Sequence, residues 1–317
     1  MIAGLDVSEL MWLGAGLIGA GAATGILAGL FGIGGGAIII PVLYEVFRVT
    51  GVPEAVRMPL CIGTSLAVII PTSISSYRAH LVRGAADTAV LKQWIVPTVI
   101  GVVLGSFIAR FAPEQLFKIV FVVVAMISIV RLLFGSDSWK IGDELPGRPL
   151  MWLFGFIIGL LSSLMGVGGG QLTNMFMTFY GRPIHQAVAT AAGLGVAISI
   201  AGALGYVYAG WPRAAEFPNV AALQFPFALG YVSLIGVVLV TPLSALVAPI
   251  GVRIAHALTR RQLEVAFGLF LLVVCGGMIT VIVIAAMDQG PIPLGGPVAV
   301  QAPPGSRRLP GGCPQGG

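Results

Sequence analysis

The sequence predicts an all-α, polytopic membrane protein that is built from two inverted repeats of about five helices each. The first observation is composition: 57% of the 317 residues are hydrophobic, only 9% are charged, and the mean hydropathy is +1.00. Soluble domains carry about 25% charged residues, so this composition excludes them. The second is that apolar runs reach about twenty residues or more, which is enough to cross a hydrocarbon core of roughly 30 Å. The third is an internal repeat.

The internal repeat is clearest at two glycine-rich segments that lie 134 positions apart. The first, TGILAGLFGIGGG, covers 24–36, the second, IGLLSSLMGVGGG, covers 158–170, and seven of the thirteen positions are identical. The match continues downstream in the same order, where a Gly-x-Pro turn begins at Gly51 and again at Gly181. An ordered series of this kind indicates a duplicated unit.

The duplication divides the chain into four parts. A polar linker with five charged residues separates the two units, and the C-terminal part is rich in Gly and Pro, a composition typical of disorder. The predicted parts are a first membrane repeat over 1–134, the linker over 135–149, a second membrane repeat over 150–287 and a disordered Gly/Pro-rich tail over 288–317.

Each repeat is predicted to contain a long helix, a glycine break, a short helix and three further spans. Glu9–Phe47 is 39 residues almost without charge, and as one helix it would be about 58 Å long, nearly twice the membrane core. Because glycine adopts positive φ at low cost, we expect a turn at the glycine run and a short helix from near Ala37. The second repeat is expected to turn likewise before Gln171. The later spans are expected at 58–76, 90–109 and 115–134, and at 187–208, 225–252 and 262–287.

The basic residues predict how the repeats are oriented. With an external N-terminus and five crossings per repeat, ten Lys and Arg residues fall in internal loops and five in external loops, which follows the positive-inside rule. An odd number of crossings makes the repeats antiparallel, the plan of many secondary transporters. The sequence leaves open whether the short helices cross the membrane fully or re-enter. The parity of the number of crossings per repeat is the same in both cases. Scattered basic residues are not typical of a nucleic-acid-binding surface.

The repeated glycine runs are the strongest candidates for a functional site. Irregular backbone at membrane depth is tolerated only where protein covers it or a watery cavity adjoins it. The exposed N–H groups of a helix start attract an anion. Alternatively, the glycines only allow helices to pack closely, but their duplication favours a site. The glycines predicted to line one substrate-binding cavity are Gly32, Gly34, Gly35, Gly36, Gly166, Gly168, Gly169 and Gly170.

Polar side chains near the glycine runs could complete this site. Thr64 and Ser65 follow a glycine in the first repeat, and Gln171, Thr173 and Asn174 lie in the first turn after the second glycine run. Their hydroxyl and amide groups could bind an oxyanion without a buried charge. The alternative is that they join neighbouring helices by hydrogen bonds. The residues predicted to bind substrate are Thr64, Ser65, Gln171 and Asn174.

The sequence does not indicate enzymatic chemistry. It lacks a G-x-S-x-G elbow and the Lys-Ser/Thr of a phosphate-binding loop, and its three cysteines show no metal-ligand spacing. We therefore predict no enzyme, no cofactor and no metal. Glu45 lies one turn from Arg48, which predicts an interfacial ion pair, with proton coupling as the alternative. His185 lies near a span end, and His80 and His256 are predicted to be loop or interface residues.

Two sets of motifs resemble the sulfite exporter TauE/SafE family over about residues 11–287. They are GLFGIGGGAIIIPVL with CIGTSLAVI, and LLSSLMGVGGG with a Gly-Arg-Pro turn and AVATAAGLGVAIS. The second repeat departs from the first, with Leu194 and Gly195 where the first has Thr64 and Ser65.

The resemblance implies a secondary transporter of the bacterial inner membrane that moves sulfite, organosulfonates or related anions. Its partners would be the small anion and the lipid bilayer. A coupling proton or sodium ion and a homo-oligomer are left open. A non-transporting membrane scaffold or assembly factor is the alternative, but such a protein would need larger loops than this chain offers.

Overall fold

The computed structural model describes residues 7–32, 34–134, 142, 144–211 and 227–288. The helices of the first half are α1 (Val7–Phe31), α2 (Gly36–Val49), α3 (Glu54–Leu81), α4 (Thr88–Ala109) and α5 (Glu114–Phe134). Those of the second half are α6 (Arg148–Met165), α7 (Gly170–Phe179), α8 (Ile184–Ala209), α9 (Leu234–Ala257) and α10 (Arg260–Asp288). A hairpin of β1 (Ala228–Leu229) and β2 (Val232–Ser233) precedes α9. The predicted tail lies outside the described residues apart from Asp288, as does most of the predicted linker.

The fold is that of an all-α polytopic membrane protein, as predicted. In the described part of the chain, six helices (α1, α3, α4, α6, α8 and α9) are long and apolar enough to cross a membrane. Large apolar side chains such as Phe107, Leu204 and Leu246 point outward and are more than half exposed. An apolar exterior of this extent is typical of a protein whose surface contacts lipid.

Both glycine-rich segments interrupt a helical run, as the sequence predicts. Residues 32–35 separate α1 from α2, and 166–169 separate α6 from α7. The residue before each short helix has positive φ, +80° at Gly35 and +75° at Gly169. A residue with a β-carbon pays about 1–2 kcal/mol in this left-handed region, which is why glycine occupies both positions.

The span predicted over 225–252 is wrong at its start, because α9 begins only at Leu234. The preceding apolar residues form the hairpin, whose turn contains Gly230 at φ +58°. Ser233 ends the hairpin and caps α9, since its Oγ accepts a hydrogen bond from the N–H of Gly236 (3.3 Å). A continuous apolar run does not by itself mark where a helix starts.

The helix contacts follow the same scheme in both halves. The first helix of each half packs along the fourth helix of the other half, so α1 contacts α9 and α6 contacts α4. The third and fifth helices pack on their own counterparts, α3 on α8 and α5 on α10. Exchanging the two halves therefore leaves the pattern of major contacts unchanged.

The third helices, α3 and α8, run antiparallel through the centre of the bundle. Gly63 lies against the side chain of Tyr206, while further along α3 Tyr77 lies against Gly193. Successive contacts thus advance along α3 and retreat along α8. Of the six spans, these two have the largest share of buried residues, 72% each. Both helices flank the glycine breaks.

Candidate functional site

The two glycine breaks meet at the centre of the bundle. Gly36 approaches the carbonyl oxygen of Gly166 so closely that a β-carbon would collide with it. Ser65 on α3 donates a hydrogen bond from Oγ to the same oxygen (2.9 Å). Asn174 on α7 donates from Nδ2 to the carbonyl oxygen of Phe31, the last residue of α1 (2.7 Å). Each break is therefore held by a polar side chain from the other half of the chain.

The glycines of both breaks combine unusual backbone angles with close packing. All eight are buried. A β-carbon on Gly35 would overlap Thr24, and one on Gly169 would overlap Ile198. Close packing and a binding site, which the sequence presents as alternatives, are thus compatible at these positions. Those with positive φ are Gly32, Gly34, Gly35, Gly166 and Gly169.

Thr64 and Gln171 are engaged in hydrogen bonds between helices. The Oγ1 atom of Thr64 accepts from the backbone N–H of Ser233, the cap of α9 (2.9 Å). The Nε2 atom of Gln171 donates to the carbonyl oxygen of Val124 (3.2 Å) and to Oγ of Ser128 (2.9 Å), both on α5. These bonds favour the helix-joining alternative for both residues.

The bond made by Thr64 has a counterpart in the other half. Asp87 caps α4, and its backbone N–H donates to Oγ1 of Thr190 on α8 (3.0 Å). In both halves, a threonine on the third helix holds the cap of the fourth helix from the opposite half. The alignment of the two copies hides this relation, because Thr190 aligns with Leu60, one turn before Thr64.

Buried polar atoms without a hydrogen-bond partner concentrate around the second break. Among the described residues they include the hydroxyls of Ser73, Ser162 and Thr173 and the Oδ1 atom of Asn174. All four side chains are at most 1% exposed. Leaving one such group unpaired costs about 1–3 kcal/mol, so several at one place call for an explanation. A polar ligand that pairs with them would supply it.

Contacts of the glycines place two of these hydroxyls beside the second break. A β-carbon on Gly169 would lie 3.3 Å from Oγ of Ser162 on α6. One on Gly195 would lie 3.0 Å from Oγ of Ser73 on α3 and 3.0 Å from the carbonyl oxygen of Gly168. The start of α7 is thus approached by hydroxyl groups from helices of both halves.

The positive potential at the site comes from backbone N–H groups and not from charged side chains. Of the residues whose burial is described, every Lys, Arg, Asp and Glu is at least partly exposed. The starts of α2 and α7 have no side-chain cap, so their first N–H groups remain available and the helix dipoles make this region positive. Glu45 instead forms an exposed ion pair with Arg48 (2.7 Å), as predicted.

A family profile described as sulfite exporter TauE/SafE matches residues 17–278. The chain belongs to this family. A "probable membrane transporter protein" of Haemophilus influenzae is 32% identical over 260 residues, covering 81% of this chain and 95% of that protein. One from Methanocaldococcus jannaschii is 29% identical over 67% of this chain and 79% of its own length. One from Bacillus subtilis is 25% identical over 61% and 78%. No solved structure matches the chain significantly.

Membership of the TauE/SafE family makes the chain a multi-pass membrane protein of a transporter family. An inner-membrane location agrees with its bacterial relatives. Within this family framework, sequence reasoning passed over Ser73 and Ser162. Ser162 lies inside the repeated motif itself, so its position one turn before the glycine run was the available signal. Ser73 lies far from both motifs in the sequence, and only the packing of α3 brings it to the site.

Proposed function

We propose that this TauE/SafE-family protein is a secondary transporter that carries small anions, such as sulfite and organosulfonates, across the inner membrane. The description of its family supports sulfur oxyanions as the substrate class. The names of its relatives support transport rather than catalysis or scaffolding. In this proposal the chain carries out no bond-breaking step.

The observation that carries the proposal is the group of unpaired hydroxyls at an uncapped helix start. Oγ of Ser162, Oγ of Ser73 and Oγ1 of Thr173 can each donate a hydrogen bond to an anionic oxygen. These hydroxyl donors are neutral, and so are the backbone N–H groups at the start of α7. A site of neutral donors holds an anion without a fixed buried cation, and release then requires no strong ion pair to break.

The free oxygen of Asn174 narrows the proposed substrate class. Its Nδ2 donates to the carbonyl oxygen of Phe31, and its Oδ1 is a buried acceptor without a described partner. An acceptor beside an anion site repels a fully ionised oxygen and favours one that retains a hydrogen. Hydrogensulfite, which has both a hydrogen and anionic oxygens, fits such a mixed set of donors and an acceptor.

We extend the proposal to two inverted repeats. The antiparallel course of α3 and α8, which are counterparts in the duplication, supports a two-fold axis across the helices and so within the membrane plane. The carbonyl oxygen of Gly166 and the start of α2, which are in contact, would then lie near the midplane. Because all eight glycines are buried, transport would require the two halves to open the site alternately to either side.

Anion flux into proteoliposomes tests this function. We expect uptake of sulfite and sulfoacetate by the wild-type protein, and a rate roughly tenfold lower in Ser162→Ala at subsaturating substrate, since one hydrogen bond is worth about 1 kcal/mol or more. Ser106→Ala is the matched control, because its hydroxyl is already bonded to the carbonyl oxygen of Val102 (2.9 Å) and to Oγ of Ser163 (3.1 Å). No flux of any anion in the wild type would favour the scaffold alternative.

A further inference from the structure

The three histidines of the chain lie together at one end of the bundle. They come from three helices and from both halves: His80 from the last turn of α3, His185 from the first turn of α8 and His256 from the last turn of α9. The ring centroid of His256 is 5.4 Å from that of His80 and 5.6 Å from that of His185. We call these three residues the histidine cluster.

The hydrogen bonds of the cluster set the tautomer of each ring. Nε2 of His80 lies 3.3 Å from the carbonyl oxygen of Gly29 and must carry the hydrogen, because a carbonyl can only accept. Nδ1 of His80 is then the acceptor for Nε2–H of His256, at 3.3 Å. Nε2 of His185 donates to the carbonyl oxygen of Ala255 (3.1 Å). In the neutral cluster, Nδ1 of His256 is therefore a basic nitrogen.

We propose that the histidine cluster is the proton-binding site that couples anion transport to a proton gradient, an inference that rests on the proposed transport function. A proton binds at Nδ1 of the half-buried His256. The charged ring keeps its Nε2–H hydrogen bond to Nδ1 of the buried His80, which stays neutral because burial disfavours a charge there. His256 therefore carries the charge and donates more strongly to His80. One proton thus enters without breaking a hydrogen bond of the cluster.

The charges around the cluster limit it to one proton. Burial disfavours a charge on His80 and on His256, and Arg83, which follows α3, adds electrostatic repulsion at both rings. Arg78 on α3 and Arg253 on α9 are exposed to solvent, and α8 has no charged side chain besides His185. The carboxylate of Asp87 is linked to the residue after His185, because Nε2 of Gln186 on α8 donates a hydrogen bond to it (3.3 Å). In α1, the described side chains include no charged group. With positive groups predominating, a second proton on the buried His80 is opposed.

The cluster is connected directly to the first glycine break. His80 bonds to Gly29, which lies in the last turn of α1, one turn before Gly32. His185 lies one turn before Val188 on α8, and the carbonyl oxygen of Val188 packs against Gly32. A charge on His256 polarises the His80 ring through their hydrogen bond and so strengthens the bond from Nε2 of His80 to the end of α1. Protonation therefore acts on α1 at the point where the first break begins, and this is the physical link between proton and anion.

The first experiment measures proton binding itself, in the full-length protein labelled with ¹⁵N-histidine and carrying no histidine tag. The three histidines are then the sole sources of signal. We expect the ring signals of His80 and His256 to shift together over one pH interval, because protonated His256 donates directly to His80. In His80→Gln, the His256 signal should titrate over a different interval. Independent titration of the three rings in the wild type, unaffected by His80→Gln, would overturn the proton site.

The second experiment separates coupling from anion binding in proteoliposomes. His80→Gln is expected to retain sulfite counterflow at equal pH and to lose the response of sulfite uptake to an imposed pH gradient. Ser76→Ala is the matched control, because Ser76 also bonds α3 to α1, through the carbonyl oxygen of Ala28 (3.4 Å), but does not titrate. It should retain both activities.

The outcomes of the two experiments are distinguishable. A full pH response in His80→Gln would show that the cluster does not couple the proton. Absence of counterflow in the wild type would instead contradict the proposed function, while shared titration of His80 and His256 would still identify a proton site.

Discussion

The two glycine breaks share one backbone plan but differ in chemistry. In the first break, Gly34 has positive φ, whereas the aligned Gly168 does not. The short helix after the first break starts with apolar side chains and has 14 residues, while the one after the second has 10 and starts with Gln171, Thr173 and Asn174. The unpaired polar atoms are divided in the same way. Those of Ser73, Ser162, Thr173 and Asn174 belong to the second break, and among the described residues the hydroxyl of Thr24 lies against the first.

The two breaks therefore share a backbone turn, whereas the buried polar groups lie mainly at the second. The first break acts mainly as the turning and packing element, and the second is the better candidate for anion binding.

The largest effect is expected from a β-carbon at the last glycine of each break. Gly35→Val and Gly169→Val combine a strained positive φ with overlap against Thr24 and Ile198. We predict transport at the level of empty liposomes for both variants, with protein still present in the membrane fraction. Flux assays with immunoblots of membranes measure this. If both variants transport at the wild-type rate, the breaks are packing devices and the site lies elsewhere.

The next effect is expected from making the second break resemble the first. Asn174 aligns with Ile40, and Asn174→Ile removes both its bond to Phe31 and the free acceptor. We predict a loss of roughly 10- to 100-fold in kcat/KM for sulfite, corresponding to about 1–3 kcal/mol. Concentration-dependent uptake measures the loss. A loss of similar size for chloride and sulfite would contradict a role in substrate choice.

A smaller effect is expected from removing one unpaired hydroxyl at each break. Ser73→Ala should lower the apparent affinity for sulfite roughly tenfold, whereas Thr24→Val at the first break should change it little. Neither variant should lower the melting temperature, because a buried hydroxyl without a partner does not stabilise the fold. Uptake and thermal unfolding in detergent are the measurements. Equal losses of affinity in both variants would show that the two breaks contribute alike.

The smallest effect on transport is expected from the two threonines that hold the helix caps. Thr64→Val and Thr190→Val should each lower the free energy of unfolding by about 1 kcal/mol, since each leaves one backbone N–H without its acceptor. Uptake by both should stay near the wild-type rate. If Thr64→Val instead lowers transport at unchanged stability, Thr64 contacts the anion after all.

Much of the fold follows from local features of the sequence. The apolar runs predict the spans, and the glycine runs predict where the chain must turn, since positive φ is a property of the residue itself. The predicted start of the last-but-one span is wrong because the hairpin before α9 is also largely apolar and carries no charge. The cap of α9 at Ser233 depends on a hydrogen bond to Thr64, which is 169 residues away in the chain.

The class of the protein, the internal repeat and the position of the glycine breaks are all readable from the amino-acid sequence. Composition and backbone preference are properties of short segments, and they need no knowledge of neighbours. The packing of the helices sets which buried polar groups have a hydrogen-bond partner. Thr64 and Gln171 have partners, Ser73 and Ser162 do not, and the histidines meet although 176 residues separate His80 from His256. A hydroxyl or an imidazole is the same group everywhere in a sequence, and its role is set by the atoms that the folded chain places within hydrogen-bonding distance.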